Sequence, residues 1–198
     1  NFYSKVIKKL VKNLNYGFKE TIITFFVILI LFLVAVQQSK FKSSNEYKGK
    51  QLHQGGTYIG KILSTPSKYF DKIQKDEFSR LNEFINKKGL TRNGPPFIIY
   101  TSKNNESTQY IIAIPIDDCN NIDLPLKFVC NYFPKQDVLS VIHKGYLHDR
   151  FKAWEILDKE LNKKSKKIFN APFEVFWKGF EQNKDSTTWI TGLYYPIK

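Results

Sequence analysis

The sequence predicts an α+β domain of two β-α-β-β units, their strands forming one antiparallel sheet with two helices on one face and a central groove. A single transmembrane helix is expected to precede it. Three observations carry this reading: an internal repeat at a constant offset of 76 residues, an apolar helical face in each copy, and one long uncharged stretch near the start.

Taken in chain order, residues 1–20 form a basic tail with Lys5, Lys8, Lys9, Lys12 and Lys19 interleaved with Val6, Ile7, Leu10, Val11 and Leu14. Such a segment suits an anionic lipid surface. Residues 21–39 carry no charge. As a helix they would extend roughly 28 Å, close to the thickness of a hydrocarbon core. A run apolar on every face has no side to turn to water, so an uncleaved single-pass anchor is expected. A cleaved signal peptide fits less well, because Gln37 and Gln38 stand where small residues are preferred. Five lysines before the span against Lys40, Lys42, Lys48 and Lys50 after it are close to a tie under the positive-inside rule. The basic tail tips the orientation towards an inside N-terminus, with the main domain outside the cytoplasm.

Residues 40–56, rich in Lys, Ser, Asn, Gln and Gly, read as a polar linker, and the folding unit is expected within residues 50–198. Repeat one spans 57–117. It has a strand around Tyr58–Leu63, a helix marked by Phe78, Leu81 and Ile85 that stops near Gly89, the strand Pro96–Tyr100, and a last strand ending Ile114-Pro115-Ile116. Repeat two spans 137–198 and mirrors it. Its strand lies near Val138–His143, its helix is marked by Trp154, Leu157 and Leu161, and Pro172–Phe176 precedes a strand ending Tyr195-Pro196-Ile197. Trp154, on the face shared with Phe78, is assigned to the core. Cys119 and Cys130 bracket ten residues between the repeats. In an oxidising compartment a disulfide there would stabilise the fold by roughly 2–4 kcal/mol; buried free thiols are the alternative.

With 31 Lys+Arg against 18 Asp+Glu, the chain has a net charge of +13. The excess is spread out: residues 40–198 hold 26 basic and 17 acidic residues, a net of +9. Nearly all the cations are Lys, which lacks the planar fork that reads base edges. The run Lys163-Lys164-Ser165-Lys166-Lys167 closes a helical pattern, where cations offset the helix dipole. No zinc-finger spacing or convincing helix-turn-helix pair is present, so direct nucleic-acid binding is not expected.

From Gly56 onward the chain resembles the GyrI-like small-molecule-binding domain, also found as the effector-binding domain of bacterial transcription activators. The matching pieces are Gly94–Tyr100, Ile112–Pro115, His143–Tyr146, Phe173–Phe176 and Trp189–Thr191 running into Tyr195–Ile197. The resemblance implies a duplicated sheet with a central ligand pocket, here in a membrane-anchored form. No DNA-binding segment precedes the domain in this sequence, so transcriptional activation is not implied.

Glu174 is the sharpest candidate. The repeat aligns it with Ile98, within the otherwise apolar strand Phe173–Trp177, so it is expected to point into an enclosed space. A carboxylate there needs a cation, hydrogen-bond donors or a raised pKa. The family's central acidic residue falls on this position, which the resemblance makes a ligand contact. Tyr100, Tyr146, Trp177, Trp189, Tyr194 and Tyr195 supply flat faces with polar tips, suited to aromatic or cationic organic molecules. The expected binding set is Glu174 with Tyr100, Tyr146, Trp177, Trp189 and Tyr194. A sensor-like domain taking a small hydrophobic or cationic molecule follows. Two alternatives stay open: a hydrolase of strained electrophiles with Glu174 as general base, as in some similar proteins, and a membrane-tethered module for a protein partner. His143 and His148 have no companion ligands at metal spacing, so a surface or hinge role is expected and no metal or cofactor is.

Overall fold

The computed structural model describes residues 21, 25–32, 41–120 and 122–198. Residues 25–32 are helical and exposed. The expected basic tail 1–20 and the rest of the expected transmembrane stretch lie outside the described residues. Among the described residues no helix is long and apolar enough to cross a membrane. The chain divides into two units, the second being Ser43–Lys198.

That second unit contains strands β1 (Ser44–His53) and β2 (Gly56–Pro66), helix α1 (Phe70–Lys87), and strands β3 (Phe97–Lys103), β4 (Ser107–Pro115), β5 (Phe128–Phe133) and β6 (Gln136–Lys144). Helix α2 (Phe151–Lys163) and strands β7 (Phe173–Lys178) and β8 (Ile190–Pro196) complete it. The strands form one sheet in the order β1-β6-β8-β7-β3-β4-β2-β5, with every pairing antiparallel. The α+β class and the strand–helix–strand–strand pattern, twice, are as the sequence predicts.

Helix α1 buries Phe70, Gln74, Phe78, Leu81 and Ile85, a stripe at i, i+4, i+8, i+11 and i+15. It ends where Gly89 takes a φ of 65° and the Leu90 N–H reaches back to the Ile85 carbonyl. At the repeat offset, Ser165 takes a φ of 50° and the Lys166 N–H reaches the Leu161 carbonyl. Phe78 of α1 packs edge-on against Phe176, and Trp154 of α2 bonds Glu174. These two strand residues are two apart, so both helices lie on the same face.

The repeats meet at β3 and β7 through the pairs Phe97–Val175, Ile98–Glu174 and Ile99–Phe173. Ile98 and Glu174 are also repeat equivalents. The pseudo-two-fold axis relating the halves therefore passes between them, at the middle of the sheet.

Two strands depart from the sequence reading. Ten residues of the expected linker 40–56 form β1, paired with β6 from Ser44–Lys144 to His53–Gln136. Most of its side chains are polar, Tyr47 and His53 being the ones that reach a core, because an edge strand is held chiefly by ladder hydrogen bonds from its neighbour. A cut at residue 50 would therefore divide a strand. The side chain of Ser43 already bonds Asp149 at 2.7 Å and accepts the Tyr146 N–H. Within the inter-repeat segment, β5 pairs with β2 and closes the opposite edge. Cys119 and Cys130 are joined as a disulfide, with Cα atoms 6.2 Å apart.

Links of two residues, 54–55 and 134–135, join β1 to β2 and β5 to β6. Each spans at most about 11 Å, yet each joins strands six places apart, about 29 Å in a flat sheet. The sheet must curl until its outer strands meet. At their crossing a side chain on Gly55, whose φ is 72°, would strike the backbone of Phe133 and Lys135. The curl encloses a second core on the face away from the helices, including Phe97, Phe133, Phe173, Val175 and Tyr194.

Two histidines are built into this frame. His53 lies edge-on to Phe133, Phe173 and Tyr194, and its Nδ1 accepts the Gly55 N–H. His143, expected at the surface or a hinge, is fully buried between the Asn45 side-chain oxygen at 2.7 Å and the Tyr146 carbonyl at 2.9 Å. His148 is exposed and stacks on Tyr146.

Burial pushes both His53 and His143 below the ordinary imidazole value, for His143 against the opposing pull of the Tyr146 carbonyl. The unfolded chain therefore takes up protons, as the pH falls through about 6.5, that the native state refuses. Stability should fall from pH 7.5 to 5.5, by at most about 1.4 kcal/mol per pH unit for each ring. Thermal unfolding across that window checks this. His53→Phe, which keeps a ring but cannot titrate, should flatten the slope even though its absolute Tm drops.

Candidate functional site

Glu174 occupies the centre of the sheet on the helix face and is completely buried. Its Oε1 accepts from Trp154 Nε1 and lies in ion-pair contact with Arg150 Nε, each at 3.1 Å. Its Oε2 is buried without a hydrogen bond of good geometry, although the Tyr100 hydroxyl lies near enough for the carboxylate to act on it. A buried carboxylate is tolerated only with a counter-charge and donors, and the partners here come from one short stretch of chain. Arg150 ends the 3-10 turn Leu147–Arg150, and Trp154 lies one helical turn further on in α2.

Arg150 is itself divided between partners. Its Nη2 donates to Asp71 at 2.6 Å, its Nη1 to the Leu147 carbonyl at 3.2 Å, and its guanidinium carbon lies 5.6 Å from the Phe70 ring centroid. Burial alone would lower its pKa, but the charges of Glu174 and Asp71, with Tyr100 close by, raise it above the ordinary value. The Tyr100 hydroxyl is held well above the usual phenol value, first by burial and then by the Glu174 charge. Arg150 stays a cation and Tyr100 a neutral donor at any physiological pH.

Around this cluster three neighbouring chambers, which share lining residues, follow one another along a groove on the helix face. The first, of about 300 Å³, lies between α1 and the turn after β7, with Phe78, Tyr146, Phe176, Phe180 and Trp189 on its walls. Asp71, Leu147 and His148 are shared with a middle chamber of about 190 Å³ that Arg150 lines. Tyr100, Lys103, Phe151 and Trp154 are shared between that chamber and a third of about 400 Å³, which adds Glu155, Asp158 and Tyr195. The Tyr195 hydroxyl donates to Asp158 at 2.7 Å, and its ring lies 5.2 Å from that of Trp154. Glu174 lies beneath the groove and lines none of the three chambers.

Of the expected set, Glu174, Tyr100, Tyr146 and Trp189 belong to this groove or its floor. Trp177 and Tyr194 do not. They lie on the opposite face, where Trp177 Nε1 donates to the Tyr194 hydroxyl at 3.1 Å and Tyr194 stacks on Phe173. The cause is strand period: Glu174 pairs with Leu193, which faces α2, so Tyr195 shares that face and Tyr194 cannot. Trp154, assigned to the core from its helix stripe, is half-buried and holds the central carboxylate. Sequence reasoning missed Arg150 and Asp71. One signal was available: a chain dominated by Lys has three Arg, at 80, 92 and 150, and each binds a carboxylate. Among the described residues no cluster of three or more His, Cys, Asp or Glu is placed to hold a metal ion.

No family model and no curated protein matches the chain. Among solved structures it is similar to EcmrR in its complex with DNA, at 17% identity and a TM-score of 0.66, over 95% of this chain and 71% of that one. It is similar to the EcmrR C-terminal domain at 17% identity and a TM-score of 0.64, over 80% of this chain and 98% of that one. A third likeness is to SAV2435 bound to tetraphenylphosphonium, at 14% identity and a TM-score of 0.52, over 77% of this chain and 94% of that one. At these identities what is shared is the fold, and it agrees with the one that the resemblance to the GyrI-like domain implies.

The ion pair reverses an expectation about stability. An unpaired buried carboxylate would make Glu174→Gln neutral or stabilising. With Arg150 in place, the substitution leaves a buried guanidinium without its central partner, and should cost about 3 kcal/mol. Thermal unfolding should show this as a fall in Tm of roughly 6–12 °C. The double variant Glu174→Gln/Arg150→Met should recover much of it. An unchanged or higher Tm for the single variant would show that the pair does not hold this site together.

Proposed function

We propose that the domain binds a small, multi-ring organic cation in the groove between α1 and α2, above Glu174. The observation that carries this is a fully buried carboxylate, one oxygen of which lacks a hydrogen bond of good geometry, beneath a groove walled by Tyr100, Trp154, Phe151 and Tyr195. Aromatic faces attract cations most strongly when both are desolvated, at about 2 kcal/mol or more per ring. Glu155 and Asp158 add negative charge at the outer chamber. The likeness to SAV2435, a protein seen with a lipophilic cation, supports the same class of ligand. The reading of Glu174 as a general base has less support. A base must come within hydrogen-bond reach of the proton it takes, and Glu174 lines none of the three chambers.

Tetraphenylphosphonium and triphenylphosphine oxide, both aryl phosphorus compounds but only one charged, separate charge selection from simple apolar burial. Isothermal titration should give at least tenfold tighter binding of the cation. Glu174→Gln should weaken the cation at least 25-fold, corresponding to about 2 kcal/mol, and the oxide much less. Phe151→Ala, at an exposed groove position, should weaken both modestly. Equal affinities for cation and oxide, or binding of neither, would reject the proposal.

We further infer that residues 21–39 anchor the chain in a bilayer and that the domain lies on its oxidising side. The uncharged run supports the first part. The Cys119–Cys130 pairing supports the second, since such a loop closure contributes about 3 kcal/mol where thiols are oxidised. Carbonate-washed membranes should retain the chain, and thiol alkylation should reach the cysteines only after reduction. Two cysteines alkylated without reductant would remove the compartment assignment, and release into the wash would remove the anchor.

A further inference from the structure

Resting on the reading of the groove as a cation site, we propose that Arg150 is the site's own occupant: in the empty groove its guanidinium takes the ligand's place at Glu174, and a bound organic cation displaces it towards Asp71. Arg150 is then the residue that sets specificity. It admits to the central carboxylate only ligands cationic enough to replace a guanidinium.

The geometry of the pair is the first support. A guanidinium that locks a carboxylate does so through two parallel N–H bonds, one to each oxygen. Arg150 instead makes its nearest approach to one oxygen of Glu174, from Nε at 3.1 Å and without a well-aligned hydrogen bond, and Oε2 is buried without one as well. Its shorter contact, at 2.6 Å, is to Asp71. The cation is thus shared between two carboxylates of unequal exposure: the Glu174 side chain is fully buried, while that of Asp71 is 54% exposed.

The second support is that displacement strands no charge. On leaving Glu174 the guanidinium keeps Asp71 and the Leu147 carbonyl, both held through its Nη atoms, and the Phe70 face. It moves from the floor of the groove towards the solvent side, where desolvation costs less. The vacated Glu174 gains the ligand's charge together with the walls of Tyr100 and Trp154. Arg150 lines the middle chamber, which shares walls with both larger ones, so its withdrawal would join the three along the groove. A neutral molecule gives no reason for the guanidinium to leave. It would be confined to the outer chambers.

An internal competitor reduces apparent affinity by the fraction of molecules in which it is displaced. Removing it should therefore strengthen binding, the opposite of what a structural arginine would do. In the full chain, Arg150→Met keeps the aliphatic stem and removes the charge. Tetraphenylphosphonium should bind this variant at least tenfold more tightly than the parent, with triphenylphosphine oxide unchanged, and Arg150→Lys should stay near the parent. Arg150→Ala leaves a guanidinium-sized gap, so methylguanidinium should raise the Tm of that variant, compete with tetraphenylphosphonium in it, and do neither in the parent. If tetraphenylphosphonium binds the parent but Arg150→Met binds it no more tightly, displacement is wrong while the cation site stands. Should Arg150→Met prove too unstable to titrate, the methylguanidinium experiment decides, and absence of competition in Arg150→Ala overturns the inference. If tetraphenylphosphonium binds neither parent nor variant, the reading of the groove fails and this inference with it.

Discussion

The rest of the domain depends on two short links that cross. Residues 54–55 and 134–135 each connect strands that a flat sheet would hold far apart, and neither is long enough to span that distance. Curling of the sheet is therefore imposed by chain length before any side chain is considered. The crossing is tight enough that Gly55 has no space for a Cβ. His53, at the end of β1, seals it against three aromatic rings. With the outer strands drawn together on one face, the two helices occupy the other, and β3 and β7 are left in the middle of the sheet between them. The most enclosed position of the helix face is then the one where the repeats meet.

At that position the pseudo-symmetry is broken. One half places Ile98 there and the other Glu174, and they pair directly across the axis. An isoleucine in both places would need nothing further, and replacing buried ion pairs by apolar residues is often neutral or stabilising. The carboxylate requires Arg150 and the Trp154 indole, and one of its oxygens still goes without a hydrogen bond of good geometry. Stability alone gives no reason to retain such a group here, since an apolar pair across the axis would need no counter-charge.

Much of the fold was legible because its signals are local. The helix faces around Phe78 and Trp154, the apolar strands at Phe97 and Phe173, and the Gly89 stop each depend on neighbours within a few residues. Strand β1 was not legible. An edge strand that alternates exposed and half-buried polar residues has the composition of a tether, and only its partner β6 makes it a strand. Phase was the second gap. Tyr194 and Tyr195 are adjacent and chemically alike, and register with β7 alone decides which of them faces the groove. The site was half legible for a related reason. Glu174 stands out within an apolar strand, whereas Arg150 lies in a 3-10 turn 24 residues away among many lysines, and its pairing is a tertiary fact.

The repeat offset turns that half-legible site into a coherent one. Subtracting 76 from Arg150, Trp154 and Glu174 gives Gln74, Phe78 and Ile98. Phe78 and Trp154 share a helix position and Ile98 and Glu174 a strand position, while Gln74 lies within α1 and Arg150 in the 3-10 turn that leads into α2. In the first half Phe78 and Ile98 belong to one apolar core cluster, and Gln74 is buried with its carbonyl oxygen lacking a hydrogen bond. In the second half Arg150 and Trp154 both contact the same oxygen of Glu174. A single Ile-to-Glu difference would bury an uncompensated charge; with an arginine four residues before the tryptophan on the facing helix turn, and an indole N–H in place of a phenyl edge, the same backbone accommodates it. The three differences are one device. They convert half of a symmetric apolar core into a charged floor, while the other half keeps the packing that holds that floor in place.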